Sequence, residues 1–174
     1  MIFTRYPELH DPSRLRDLAR VGLDRETPRA YLTELVEQVA VAMDTPFAVI
    51  TGLLTDAQVF LAGYGPIPAW LGEAGGTPIE WAFCTPMLRN RAARYVNDFT
   101  ADPEFRDNPL VTIEGVRSYI GAPLISGRGG VLGSICGLDL RPREFGADQL
   151  RVVQELAEEA ARRLEADAAS SSAD

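Results

Sequence analysis

Reactive side chains are scarce in this sequence: two cysteines, Cys84 and Cys136, and one histidine, His10. Cys84 follows Trp81 and Phe83 in an apolar stretch. A thiol becomes a nucleophile or redox sensor where a nearby cation or helix N-terminus lowers its pKa. In apolar surroundings it serves instead as a small buried hydrophobe, and that role is expected for Cys84. Cys136 alternates with Leu132, Ser134 and Leu138 on one face of a strand-like run and reads as structural. His10 lies in the N-terminal arm, so no histidine base or haem ligand is available inside the domain. No His, Cys, Asp or Glu spacing matches a metal site, and no cofactor is expected. Asp98 and Asp102 resemble paired carboxylates for acid–base work, but in a loop such residues more often bond to their own backbone and cap turns. Asn108-Pro109 reads as a turn or a helix stop. Arg117, just before a strand, is expected in a salt bridge, with an anionic ligand as the alternative.

The remaining composition narrows the classes. Every basic residue is Arg, which excludes lysine Schiff-base chemistry and lysine-dependent phosphate sites. A net charge of −8 argues against a nucleic-acid or anionic-membrane surface. The apolar runs are too short to span a bilayer, and MIFTRYPELH lacks the form of a signal peptide. A cytoplasmic, reducing location is expected, with both cysteines as thiols. At 174 residues the chain is long enough for one domain with its own core.

The elements that position these residues follow from periodicity and breakers. Asp11-Pro12-Ser13 opens a short helix bearing Leu15, Leu18 and Ala19. Residues 22–26 form a polar break, and Thr27-Pro28 gives a second start signal. Leu32, Leu35, Val36, Val39 and Met43 then recur at helical spacing through about Asp44. Strands are expected at 47–54, 58–65 and 93–98. A Gly/Pro-rich loop fills 65–78, and 79–89 begins as a helix limited by Pro86. Residues 118–125 and 131–139 flank a glycine turn and form a hairpin. From Gly146 to about Ala168, Leu150, Val153, Ala157, Ala160 and Leu164 make a heptad-like stripe, with Gln149 placed as a capping partner. The expected division is an N-terminal arm with a short helix (1–26), one domain (27–168) and a disordered tail (169–174). The fold class is α+β: a central antiparallel sheet of five to six strands. Its terminal helices pack on one face, and a loop and short-helix segment (65–117) covers a pocket on the other.

Four motifs carry a family resemblance: Phe83-Cys84, DPEFRDNPLV (102–111), VRSYIGAPL (116–124) and LGSICGLD (132–139). They resemble, in order and spacing, the "FC", "DPRFADNPLV", "VRxYxGxPL" and "LGxLCxLD" patterns of GAF domains, sensory modules of bacterial signalling proteins. The pattern is similar to modules of histidine kinases, diguanylate cyclases and phosphatase regulators. No effector domain follows in this sequence, so the resemblance implies a stand-alone sensor or dimerising module, or one that acts on a partner chain. Some GAF-like proteins reduce free methionine sulfoxide with a cluster of pocket cysteines; here one cysteine lies in that region and a second on a strand. Bilin-binding members carry a Cys-His pair where this chain has EGVRSY. Cyclic-nucleotide-binding members carry a Lys after the Asn that Asn97 echoes; here Asp98 follows.

The resemblance implies a ligand pocket between the central strands and the covering segment. Its expected lining is Trp70, Trp81, Phe83, Cys84, Met87, Tyr95, Phe99, Arg117, Tyr119 and Ile135, which suits a small planar or amphipathic molecule. Two function classes follow. One is a non-enzymatic sensory module that binds a small molecule, dimerises through helices 11–22, 27–44 and 146–168, or does both, and modulates a signalling partner. The other is a thiol enzyme or redox sensor using Cys84. A ligand-free dimerisation scaffold is a further alternative.

Overall fold

The computed structural model describes residues 5–23 and 29–172. Helix α1 (Pro12–Val21) and helix α2 (Ala30–Met43) precede strands β1 (Phe47–Leu53) and β2 (Ala57–Tyr64). Then come α3 (Ala69–Ala74), β3 (Gly76–Pro78), α4 (Met87–Asn90), β4 (Arg94–Val96) and α5 (Pro109–Thr112). The hairpin β5 (Ser118–Ile125) and β6 (Val131–Asp139) leads into α6 (Ala147–Ser172). The strands form one six-stranded sheet, ordered β3-β2-β1-β6-β5-β4, with every pair antiparallel.

The central strands are apolar on both sides because both faces are covered. Six of the seven β1 residues are buried. On one face Ile50, Ile120, Ala122, Leu124 and Ile135 meet Leu32, Leu35, Val36 and Val39 of α2 and Val153, Ala157, Ala160 and Leu164 of α6. Each fully buried Leu or Ile there contributes roughly 1.5–3 kcal/mol. The α6 stripe is therefore spent on the chain's own sheet. On the other face Phe83, Met87, Phe99, Phe105, Val111 and Tyr119 form a second core under the 65–117 segment.

Local chemistry sets the boundaries. The Asp11 carboxylate accepts the Ser13 N–H at 3.0 Å, and Pro12 supplies the first turn of α1. Gly22, at φ +79°, ends it. Gln149 Oε1 accepts the Gly146 N–H at 2.8 Å, closing the start of α6 as its position predicted. Several expectations are corrected. α6 continues to Ser172, so the helix takes in the first part of the tail expected to be disordered. Residues 79–81 make only a 3₁₀ turn, and Cys84 lies in a turn, not a helix, because Pro86 delays helical geometry until Met87. The glycine-rich loop contains β3, which pairs with β2 where Gly76 approaches the Gln58 carbonyl too closely for any side chain. Asn108-Pro109 starts α5 instead of stopping a helix. The start signal at Thr27-Pro28 lies outside the described residues; α2 is described from Ala30. Among the described residues no helix is long and apolar enough to cross a membrane.

Candidate functional site

A cavity of about 200 Å³ lies between the sheet and the 65–117 segment. Strand alternation supplies its floor: Phe47, Val49 and Thr51 from β1, Gln58 and Phe60 from β2, Ser134, Cys136 and Leu138 from β6. Pro66, Ile67, Pro68 and Leu71 form one part of the roof, and Leu110, Glu114 and Val116 the other. Phe83 and Cys84 close one side, and Tyr119 of β5 completes the wall.

The DPEFRDNPLV motif builds the roof by local capping. The Asp102 carboxylate accepts the N–H groups of Glu104 and Phe105 at 2.9 and 3.1 Å. Asp98 accepts the Thr100 N–H at 3.0 Å. The two carboxylates are thus turn caps, as the loop chemistry predicted. Asn108 caps α5 through the Leu110 N–H at 2.9 Å and donates its amide to the Trp81 carbonyl at 3.2 Å. That bond ties the roof to the turn carrying Phe83 and Cys84.

One end of the cavity is polar. Thr51 Oγ1 and Ser134 Oγ share a hydrogen bond of 3.0 Å. Cys84 Sγ lies 3.8 Å from Thr51 Oγ1 and 4.0 Å from Gln58 Oε1. Gln58 Nε2 donates to Thr77 Oγ1 at 2.8 Å. One group sits at the edge of this network: the Tyr119 hydroxyl is fully buried and makes no well-formed hydrogen bond among the described residues, with the Ser134 hydroxyl as a polar neighbour. Gly121, two residues along the same face, leaves room for that phenol; a Cβ there would collide with the hydroxyl and lie 2.8 Å from Tyr119 Cζ. Burial holds Tyr119 protonated, far above the ordinary phenol range. Burial outweighs the weak opposing influence of Ser134, so the hydroxyl is a protonated donor without a well-formed acceptor, and such groups are rare in folded proteins.

The thiols are chemically quiet. Burial pushes the Cys84 pKa up, outweighing the Ser134 and Thr51 hydroxyls, and it pushes Cys136 up as well. In the folded protein at pH 7 a water-soluble disulfide reagent is expected to modify neither cysteine in the time that labels both in denaturant. Cys84→Ser should leave that native profile unchanged. Rapid labelling of one thiol per chain, lost in Cys84→Ser, would show an activated nucleophile.

Of the expected lining residues, Phe83, Cys84 and Tyr119 reach the cavity. Phe99 and Met87 are fully buried behind it, with Phe99 stacked on Phe83 at 4.2 Å. Trp70 is 46% exposed; its indole donates to Glu114 Oε1 at 3.1 Å and meets Trp81 edge-on at 6.2 Å, so both tryptophans brace the rim from outside. Tyr95 is partly exposed, with its ring 6.3 Å from Phe145. Among the described residues Arg117 makes neither a salt bridge nor a pocket contact: Nη1 donates to the carbonyls of Val111 and Val116 at 2.9 and 3.1 Å. Ile135 faces the helices, because β6 alternates and Ser134 and Cys136 take the pocket side. Leu132 also belongs to the helix-side core, past the register shift at Leu124/Ile125. The same alternation, applied to 47–51 and 134–138, identifies the floor residues that aromatic content alone missed.

A six-stranded antiparallel sheet with helices on one face and a roofed apolar pocket on the other defines a small α+β domain of the kind that can enclose a ligand. The GAF domain model matches residues 27–164, and the chain belongs to the GAF domain family. It is 34% identical over 139 residues to a cyclic di-GMP phosphodiesterase of Pseudomonas aeruginosa, covering 79% of this chain and 22% of that protein. The chain thus spans about a fifth of that relative's length. The second GAF domain of DevS from Mycobacterium smegmatis superimposes with a TM-score of 0.66 at 16% identity, over 85% of this chain and all of that one. Free methionine-R-sulfoxide reductase from Neisseria meningitidis, in complex with its substrate, gives 0.63 at 21% identity, over 79% and 77% of the two chains. At these identities the structural likenesses establish the shared fold alone.

Proposed function

We propose that this domain is a non-enzymatic sensory module whose pocket takes a small, uncharged, largely apolar molecule bearing a hydrogen-bond acceptor. The observation that carries this reading is the buried Tyr119 hydroxyl in the pocket wall, which makes no well-formed hydrogen bond among the described residues. A ligand acceptor there would complete it, in surroundings where an unmade bond is costly. Glu114 is the one charged residue of the lining, so an anionic ligand meets no opposite charge. The buried, protonated state of Cys84 weighs against a thiol reductase. The readout is a signalling partner or a second copy of the chain that engages the helical layer. Self-association would use the outer faces of α2 and α6, because the α6 stripe is already occupied.

The test combines native mass spectrometry of freshly purified protein with Tyr119→Phe. A stoichiometric small-molecule adduct is expected on the wild type. In Tyr119→Phe the ligand-free chain should be more stable by about 1 kcal/mol, while affinity for the adduct molecule falls about 5- to 10-fold. An empty wild-type chain that no neutral aromatic or amphipathic compound stabilises would sink the sensor reading and favour a scaffold.

A further inference from the structure

A second cleft, of about 440 Å³, lies between α1, α4 and the β5–β6 turn and shares no lining residue with the apolar pocket. Four arginines line it: Arg14, Arg16, Arg91 and Arg128. Glu8, Asp11 and Asp17 line it too, but two of these carboxylates are engaged by arginines outside the lining. Arg89 holds Glu8 at 2.9 Å, and Arg20 holds Asp17 at 2.5 Å. Asp17 also accepts the Ser126 hydroxyl. Asp11 caps α1 through the Ser13 N–H. None of the four lining arginines is in a salt bridge among the described residues. Asp11 and Glu165 act on Arg14 and Arg128 only from beyond salt-bridge distance, and in a chain of net charge −8 four guanidiniums around one cleft stand out.

The site is built, not only charged. Arg14 is 4% exposed and anchors the cleft floor: its two terminal nitrogens donate to the carbonyls of Leu9, Leu53, Leu54 and Val131. Its Nε, buried as well, has no partner. Opposite, Arg91 ends α4 in the left-handed conformation at φ +55°. Its Nη2 comes within 3.9 Å of where a Cβ of Gly129 would sit, which brings it against the β5–β6 turn beside Arg128. Guanidinium groups are the side chains best matched to phosphate oxygens, through paired N–H donors and a charge that does not titrate.

We propose that this cleft binds the phosphate groups of a small molecule, with room for a diphosphate, gripped by Arg16, Arg91 and Arg128 over the buried Arg14. The absence of lysine removes the flexible point charge but leaves the planar, two-pronged donor. A phosphate there would add α4 to the tie that Arg14 and Asp17 already make between α1 and the hairpin.

The test is calorimetric titration of the full chain with inorganic pyrophosphate and with a nucleoside diphosphate, at low and high salt. Saturable one-to-one binding, weakened by salt, is expected. Arg91→Gln and Arg128→Gln, both at exposed positions, should each weaken it at least 5-fold, as a lost charge-assisted pair requires, and the double variant should abolish it. Arg106→Gln, exposed and outside the cleft, should bind like the wild type. Equal affinity for the two probes would assign the phosphates alone; tighter nucleotide binding would add a base contact, and either supports the site. No binding at millimolar probe, unchanged binding in the double variant, or equal loss in Arg106→Gln would overturn it.

Discussion

Gly133→Ala is expected to destabilise the domain by about 4 kcal/mol, near the upper end for single substitutions. Gly133 of β6 faces Gly52 of β1 across the middle of the sheet. A Cβ at 133 would fall on the Thr51 carbonyl oxygen, lie 2.7 Å from its carbon and lie 2.9 Å from Gly52 Cα. All three atoms are backbone, so no side-chain rotation relieves the overlap, and two central strands must part. For a domain of this size the loss corresponds to a fall of about 8–16 °C in Tm. Thermal unfolding followed by circular dichroism measures it directly. A Tm within about 2 °C of wild type would show that the sheet yields there at little expense.

The second large effect is expected at Arg14. Arg14→Met keeps length and apolar packing but removes the donors to the Leu9, Leu53, Leu54 and Val131 carbonyls. Burying those acceptors without a partner costs about 3 kcal/mol in total, after partial relaxation. The break should be local first, because those carbonyls join the arm before α1 to the ends of β1 and the start of β6. Denaturant unfolding should show the loss, and native proteolysis should cut earlier around α1. Arg14→Lys should recover little, since one ammonium cannot reach four carbonyls set around a planar fork. Equal stability of the Met variant would mean that water serves those carbonyls equally well.

The strands and long helices were legible because their burial is periodic. The hairpin at 118–125 and 131–139 was read at its observed bounds, since a glycine turn separates two strongly apolar runs. β3 was not legible: a three-residue strand among glycines and prolines carries no periodicity, and its pairing with β2 is decided by close backbone approach at Gly76. The pocket was half legible. Aromatic side chains mark apolar volume without saying which core they fill, so Met87 and Phe99 went to the second core and the tryptophans to the rim. Thr51, Gln58 and Ser134 were missed because short polar residues in strands look like ordinary alternation until the neighbouring strands are aligned. Arg14 left no signal in sequence, since its partners are backbone carbonyls from three separate segments.

The alternation along β6 has an evolutionary consequence. Ser134, Cys136 and Leu138 face the pocket, while Ile135 between them faces the helices. On the proposed reading, the residues that would choose a ligand and those that hold the helical layer are therefore different letters of the same strand. Substitutions at 134, 136 and 138 can retune what the pocket accepts while the packing of α2 and α6 stays as it is. Such a domain could change the lining of its pocket without relearning how to fold.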